Sequence, residues 1–62
     1  MIGNKLKELR KAKSITQSEL AKLLHTNQTM IHRYESDKQD MTISRLFEIA
    51  KALNVKPSEL LD

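Results

Sequence analysis

The sequence predicts an all-α fold, a compact arrangement of five short helices, on three observations. Among its 62 residues are one glycine (Gly3) and one proline (Pro57), while Leu, Lys, Ala, Glu, Gln and Arg are plentiful; that composition favours helix over strand. Apolar residues recur at spacings of three and four, the period of a helix. Good N-cap residues, Thr16, Asn27 and Thr42, stand in front of three of the periodic segments.

The first helix is expected over residues 2–13, where Ile2, Leu6 and Leu9 fall on one stripe. Ser14 and Ile15 break the pattern. The second, over residues 17–24, opens on Thr16-Gln17-Ser18-Glu19, a capping box in which the Thr16 hydroxyl takes the Glu19 N–H and the Glu19 carboxylate reaches back. Leu20, Ala21 and Leu24 form its buried face. The third, over residues 28–36, starts after Asn27, with Ile31 and Tyr34 facing inward and Gln28, Thr29, His32 and Arg33 on the other side. Residues 36–41 read as a polar connection. Thr42 then caps a fourth helix over residues 43–53, whose stripe is Leu46, Ile49, Ala50 and Leu53. Asn54 suits the left-handed conformation that ends helices. Pro57 suits the first position of a fifth helix, over residues 57–61. Tyr34 and Phe47 are expected to pack in the interior. The reading is one domain over residues 1–62.

Composition restricts the function. There is no cysteine, hence no disulfide staple and no thiolate metal site. His25 and His32 have no acidic or thiol partners at ligand spacing, so no metal is expected. No glycine-rich phosphate loop and no Ser/His/Asp arrangement is present, and a chain this short has little room for a deep pocket; neither an enzyme nor a cofactor or small-molecule ligand is expected. No apolar run approaches the ~20 residues needed to span a bilayer, and the opening Met1-Ile2-Gly3-Asn4-Lys5 turns charged too soon for a signal peptide. The expected location is therefore the cytoplasm. The net charge of +3 is unevenly placed. Residues 1–38 hold eight Lys/Arg against four Asp/Glu, and residues 39–62 hold three against four. The basic part suits a polyanion.

The second and third helices are joined by too few residues to lie antiparallel, so they cross steeply, as in a helix-turn-helix. A steep crossing needs a small residue at the contact, and Ala21 stands there. It needs a residue at the turn that tolerates positive φ, and His25 stands there. It needs an apolar plug, which Ile31 supplies against Leu20 and Leu24.

Thr16-Gln17-Ser18-Glu19-Leu20-Ala21 and Asn27-Gln28-Thr29-Met30-Ile31-His32-Arg33-Tyr34-Glu35 resemble the helix-turn-helix of the phage repressor and Cro family, also called the xenobiotic-response-element type. Leu6-Lys7-Glu8-Leu9-Arg10 is similar to that family's first helix, residues 46–55 to its fourth, and Pro57-Ser58-Glu59-Leu60-Leu61 to its fifth. His25 departs from the family's usual glycine. The resemblance implies a lambda-repressor-like domain, base contacts from the third helix, a phosphate contact from Gln17, and a structural ion pair between Arg10 and Glu35.

The residue chemistry suits those roles. A helix fits the major groove of DNA, where every base pair shows a distinct donor and acceptor pattern. Side chains near the start of the entering helix reach the bases; here they are Gln28 and Thr29, with His32 and Arg33 one turn on. Gln28 can hold adenine N6 and N7, Arg33 guanine O6 and N7, and Thr29 a thymine methyl. Thr16, Gln17, Asn27 and Lys38 are the candidates for phosphate, followed by Lys11, Lys13 and Arg45. Val55, Leu60 and Leu61, with the loop before the fourth helix, are the candidate dimer interface. The expectation is a bacterial or phage transcription regulator, a repressor binding a palindromic operator as a homodimer, with half-site centres about 34 Å apart. Two alternatives stay open: an antitoxin or other protein-interaction module, and the DNA-binding part of a longer regulator.

Overall fold

A computed structural model describes residues 2–61. The described residues form five helices and no strand: α1 (Ile2–Ala12), α2 (Gln17–Leu23), α3 (Gln28–Glu35), α4 (Ile43–Leu53) and α5 (Pro57–Leu61). The first three stop one residue earlier than the periodicity predicts. The reason lies in how they end.

α1 to α4 share one C-terminal device. Ser14, His25, Asp37 and Asn54 hold φ values of 57, 57, 58 and 58°. The residue after each sends its N–H five residues back: Ile15 to the Arg10 carbonyl at 3.1 Å, and Thr26 to Ala21, Lys38 to Arg33 and Val55 to Ala50, each at 2.9 Å. The left-handed residues themselves donate to Lys11, Lys22, Tyr34 and Lys51. These paired bonds are Schellman motifs, which satisfy carbonyls that the helix end leaves free. Glycine usually holds the left-handed position, and here none does. Asn and Asp adopt it with local hydrogen-bonding help, whereas Ser14 and His25 carry strain of about 1–2 kcal/mol each.

The N-terminal ends follow the capping chemistry. Thr16 Oγ1 accepts the Glu19 N–H at 3.0 Å while the Thr16 N–H donates to Glu19 Oε1 at 2.9 Å. Asn27 and Thr42 accept from the Met30 and Arg45 N–H groups. α1 solves its start differently. The Gly3 N–H donates to Asp37 Oδ1 at 3.1 Å, just beyond the end of α3. A Cβ on Gly3 would fall 2.6 Å from the Glu35 carbonyl oxygen and 2.7 Å from that of Tyr34. The glycine is therefore needed for closeness of approach. It lets the donor end of α1 sit on the acceptor end of α3, where the helix dipoles complement one another.

Every helix contributes to the interior: Leu6, Leu20, Ile31, Ile49, Leu53 and Leu60 are fully buried. Ala21, Leu24, Tyr34, Leu46 and Ala50 complete the core, with Ile2, Leu9, Ile15, Met30, Met41, Ala52 and Val55 packed partly against it. Two expectations are corrected here. Leu60 is 0% exposed, so it belongs to the monomer core and cannot form part of a dimer surface; its neighbour Leu61 points outward at 63%. Phe47 does not pack inside but lies 54% exposed, because its place on α4 falls off the Leu46–Ile49–Ala50–Leu53 stripe.

Candidate nucleic-acid interface

The outward face of α3 follows from its inward one. Ile31, Tyr34 and Glu35 are buried, which fixes the helix about its axis. Gln28, Thr29, His32 and Arg33 are consequently all exposed. Neither Arg33 nor Lys38 forms an ion pair among the described residues, so both cations keep their charge available for an anion.

Below this face lies a buried pair. Arg10 Nε donates to Glu35 Oε2 at 2.6 Å and Nη2 to Oε1 at 3.3 Å, while Nη1 donates to the Ile15 carbonyl at 2.7 Å. Both residues are more than nine-tenths buried. Such a pair survives burial because the remaining donors and acceptors find partners, and among the described residues no buried side-chain polar atom lacks one. The pair ties the end of α3 to α1.

Hydrogen bonds run outward from it. Gln17 Nε2 donates to Glu35 Oε1 at 3.0 Å. Gln28 Nε2 donates to Gln17 Oε1 at 3.4 Å, and Ser18 Oγ donates to Gln28 Oε1 at 3.0 Å. The first residues of α2 and α3 are thus held side by side, and two helix starts with positive dipole ends meet at one edge. A donor count shows what remains. Gln17 and Gln28 each keep one amide hydrogen, Asn27 keeps its amide nitrogen because only Oδ1 serves as the cap, and the Thr16 hydroxyl can still donate.

Among the further phosphate candidates, Lys11 and Lys13 are exposed. Arg45 has partners within the fold. Its Nη1 donates to the Leu24 carbonyl at 3.2 Å and lies 3.6 Å from Glu48 Oε1. A cation at the carbonyl end of α2 opposes the negative end of that helix, so Arg45 has a structural use besides the expected phosphate role. Val55 is half-buried beside α4 and α5. Ser18 was not singled out by the sequence. Its bond crosses between helices, and only the steep meeting of two helix starts hints at it.

The pattern of the helix-turn-helix family designated HTH_3 matches residues 6–60. The chain belongs to the HTH_3 helix-turn-helix family. No curated protein matches it by sequence, but solved structures do. The restriction-modification controller protein C.AhdI from Aeromonas hydrophila is 30% identical, with a TM-score of 0.90 over 95% of this chain and 89% of that one. SinR, the master regulator for biofilm formation, solved in complex with DNA, is 32% identical, with a TM-score of 0.90 over the full length of both chains. The P22 c2 repressor in complex with a synthetic operator is 25% identical, with a TM-score of 0.87 over 97% of this chain and 91% of that one. This HTH_3 chain therefore shares the helical architecture of phage repressors, five helices with α2 and α3 as the helix-turn-helix.

Proposed function

We propose that this HTH_3 chain is a sequence-specific double-stranded DNA-binding transcription regulator that represses by occupying a two-fold-symmetric operator as a homodimer. The observation that carries the reading is the outward quartet Gln28, Thr29, His32 and Arg33 on a helix whose opposite side is locked into the core. Gln28, Thr29, His32 and Arg33 contact bases, and Thr16, Gln17, Asn27 and Lys38 hold phosphates. The likeness to SinR and the P22 c2 repressor, both solved with DNA, supports the same docking. No described helix is long and apolar enough to cross a membrane.

The dimer surface in this reading uses exposed apolar residues away from α3. Ile43 is 73%, Phe47 54% and Leu61 63% exposed. Ile43 and Phe47 lie four apart on α4, hence on one flank of that helix. With Val55 they replace the buried Leu60 in the proposed interface.

Selection of bound sites from a random DNA pool tests the function directly. It should enrich a palindrome with half-site centres about one turn apart. Gln28→Ala should then cost about 1–3 kcal/mol at the preferred site and relax one position, whereas Lys38→Ala should weaken all sequences evenly and flatten the salt dependence. A pool that enriches nothing overturns the reading.

A further inference from the structure

The hydrogen bonds between α2 and α3 have a direction, and a buried carboxylate sets it. Glu35 is ion-paired with Arg10, and an ionised carboxylate only accepts. Gln17 must therefore turn its amide nitrogen toward Glu35, as the 3.0 Å bond shows. Its oxygen then faces away and requires a donor, which is Gln28 Nε2. Gln28 Oε1 is left at the far side, where it accepts from Ser18 Oγ. Each amide passes the sense of the previous bond to the next.

We propose that Ser18 is a positioning residue for base recognition: its bond to Gln28 Oε1 closes this chain and holds the Gln28 amide in the sense that Gln17 Oε1 sets. The proposal rests on the DNA-reading role given to α3 above. The Gln17–Gln28 bond is long, at 3.4 Å, and the Ser18–Gln28 bond is the shorter at 3.0 Å. Ser18 thus supplies the tighter hold on an otherwise exposed side chain. The two bonds occupy one amide hydrogen and one oxygen lone pair of Gln28. One of each remains, which is the donor-plus-acceptor pair that matches N7 and the N6 amino group of adenine. Guanine presents O6 where adenine presents that amino group, so the held Gln28 oxygen meets a second acceptor and guanine is rejected. An amide free to turn over can donate to guanine O6 instead, which weakens that rejection. By holding that amide, Ser18 sharpens the choice of adenine over guanine without touching either.

Ser18 is exposed, so losing its bond to Gln28 in Ser18→Ala should leave the fold intact, with a melting temperature within a few degrees of the parent's. The full chain and its Ser18→Ala, Ser18→Thr and Gln28→Ala variants are titrated against the selected operator and against operators with each base in turn at every half-site position. For Ser18→Ala the preference for adenine over guanine should fall about 2- to 10-fold, the range of one neutral hydrogen bond, at the position that Gln28→Ala also relaxes and nowhere else. Ser18→Thr, which keeps the hydroxyl, should restore it. An unchanged base profile for Ser18→Ala overturns the proposal. So does uniform weakening over all sequences with a shallower salt dependence, which would make Ser18 a phosphate contact. Failure of the parent chain to prefer any sequence refutes the DNA-reading role instead.

Discussion

Gly3→Ala tests the packing of α1 on α3, and two effects of opposite sign compete in it. Alanine is the better helix former by up to about 1 kcal/mol, and that gain is smaller in a first turn. Against it stands the added methyl. It would lie 2.6 and 2.7 Å from two backbone carbonyl oxygens of α3 and 2.8 Å from Asp37 Oδ1. The carboxylate can swing aside, but the carbonyls are part of a helix and cannot, so α1 must move. Overpacking of this kind costs about 1–3 kcal/mol, and here it also lengthens the Gly3–Asp37 bond. The steric term wins, for a net loss of about 1–2 kcal/mol. A domain of this length has a total stability of about 3–9 kcal/mol, so the loss is a large share of it. The expected fall in Tm is about 5–15 °C, measured by circular dichroism and checked by urea unfolding with an unchanged m-value. A Tm equal to or above that of the parent would mean that α1 and α3 do not meet as closely as described.

Arg10→Met alone should destabilise by about 3–5 kcal/mol by leaving the Glu35 carboxylate buried without its cation, while Arg10→Met with Glu35→Leu should recover most of the loss; urea unfolding in which the double variant is no better than the single one contradicts this. Leu60→Ala should cost about 2–5 kcal/mol and Leu61→Ala less than about 0.5 kcal/mol in denaturation at a concentration where the protein is monomeric, and equal losses would contradict the inward and outward assignment of the two leucines. Glu19 titrates below its ordinary 4.5, chiefly because the Thr16 N–H bonds its carboxylate, with the Thr16 hydroxyl and Lys22 adding to the effect. A lowered carboxyl stabilises the fold above its unfolded value and loses that contribution as pH falls through the folded one. Glu19→Gln should therefore show a shallower decline in Tm on acidification from neutrality to about pH 3 than the parent, and parallel declines would refute the coupling. His25→Gly relieves left-handed strain of about 1–2 kcal/mol but enlarges the freedom of the unfolded chain by about 0.4–1 kcal/mol, so Tm should rise by a few degrees; a fall would show that the His25 side chain contributes a stabilising contact.

Much of the fold was legible because local signals agree with one another. Thr16, Asn27, Thr42 and Asn54 each take the helix-end role that their chemistry suggests, and the stripe Leu46, Ile49, Ala50 and Leu53 is buried throughout. What escaped the sequence depends on distances between elements. Leu60 and Leu61 are chemically identical neighbours in a five-residue helix, too short for periodicity to say which one faces inward. Phe47 is apolar but sits on the wrong flank of α4. Arg45 reads as one more surface cation until its guanidinium is seen on the Leu24 carbonyl. Gly3 looks like a weak point in α1 unless the carbonyls of α3 are known to lie against it. In the candidate site, the exposed quartet on α3 follows from the inward positions of Ile31 and Tyr34. The bond from Ser18 to Gln28 does not follow from any spacing, because it joins two helices whose crossing must first be fixed.

The four left-handed helix exits bear on how such a protein can change. Each exit is closed by two backbone bonds of its own, so its shape is set by main-chain geometry, and a side chain at the corner adds strain without changing that shape. The corners hold Ser, His, Asp and Asn, four different residues in one shape. In the proposed DNA-reading role, the exterior of α3 can therefore be rewritten for another operator while the frame of the helix stays as it is. New specificity then requires substitution at a handful of outward positions, with no hinge to readjust.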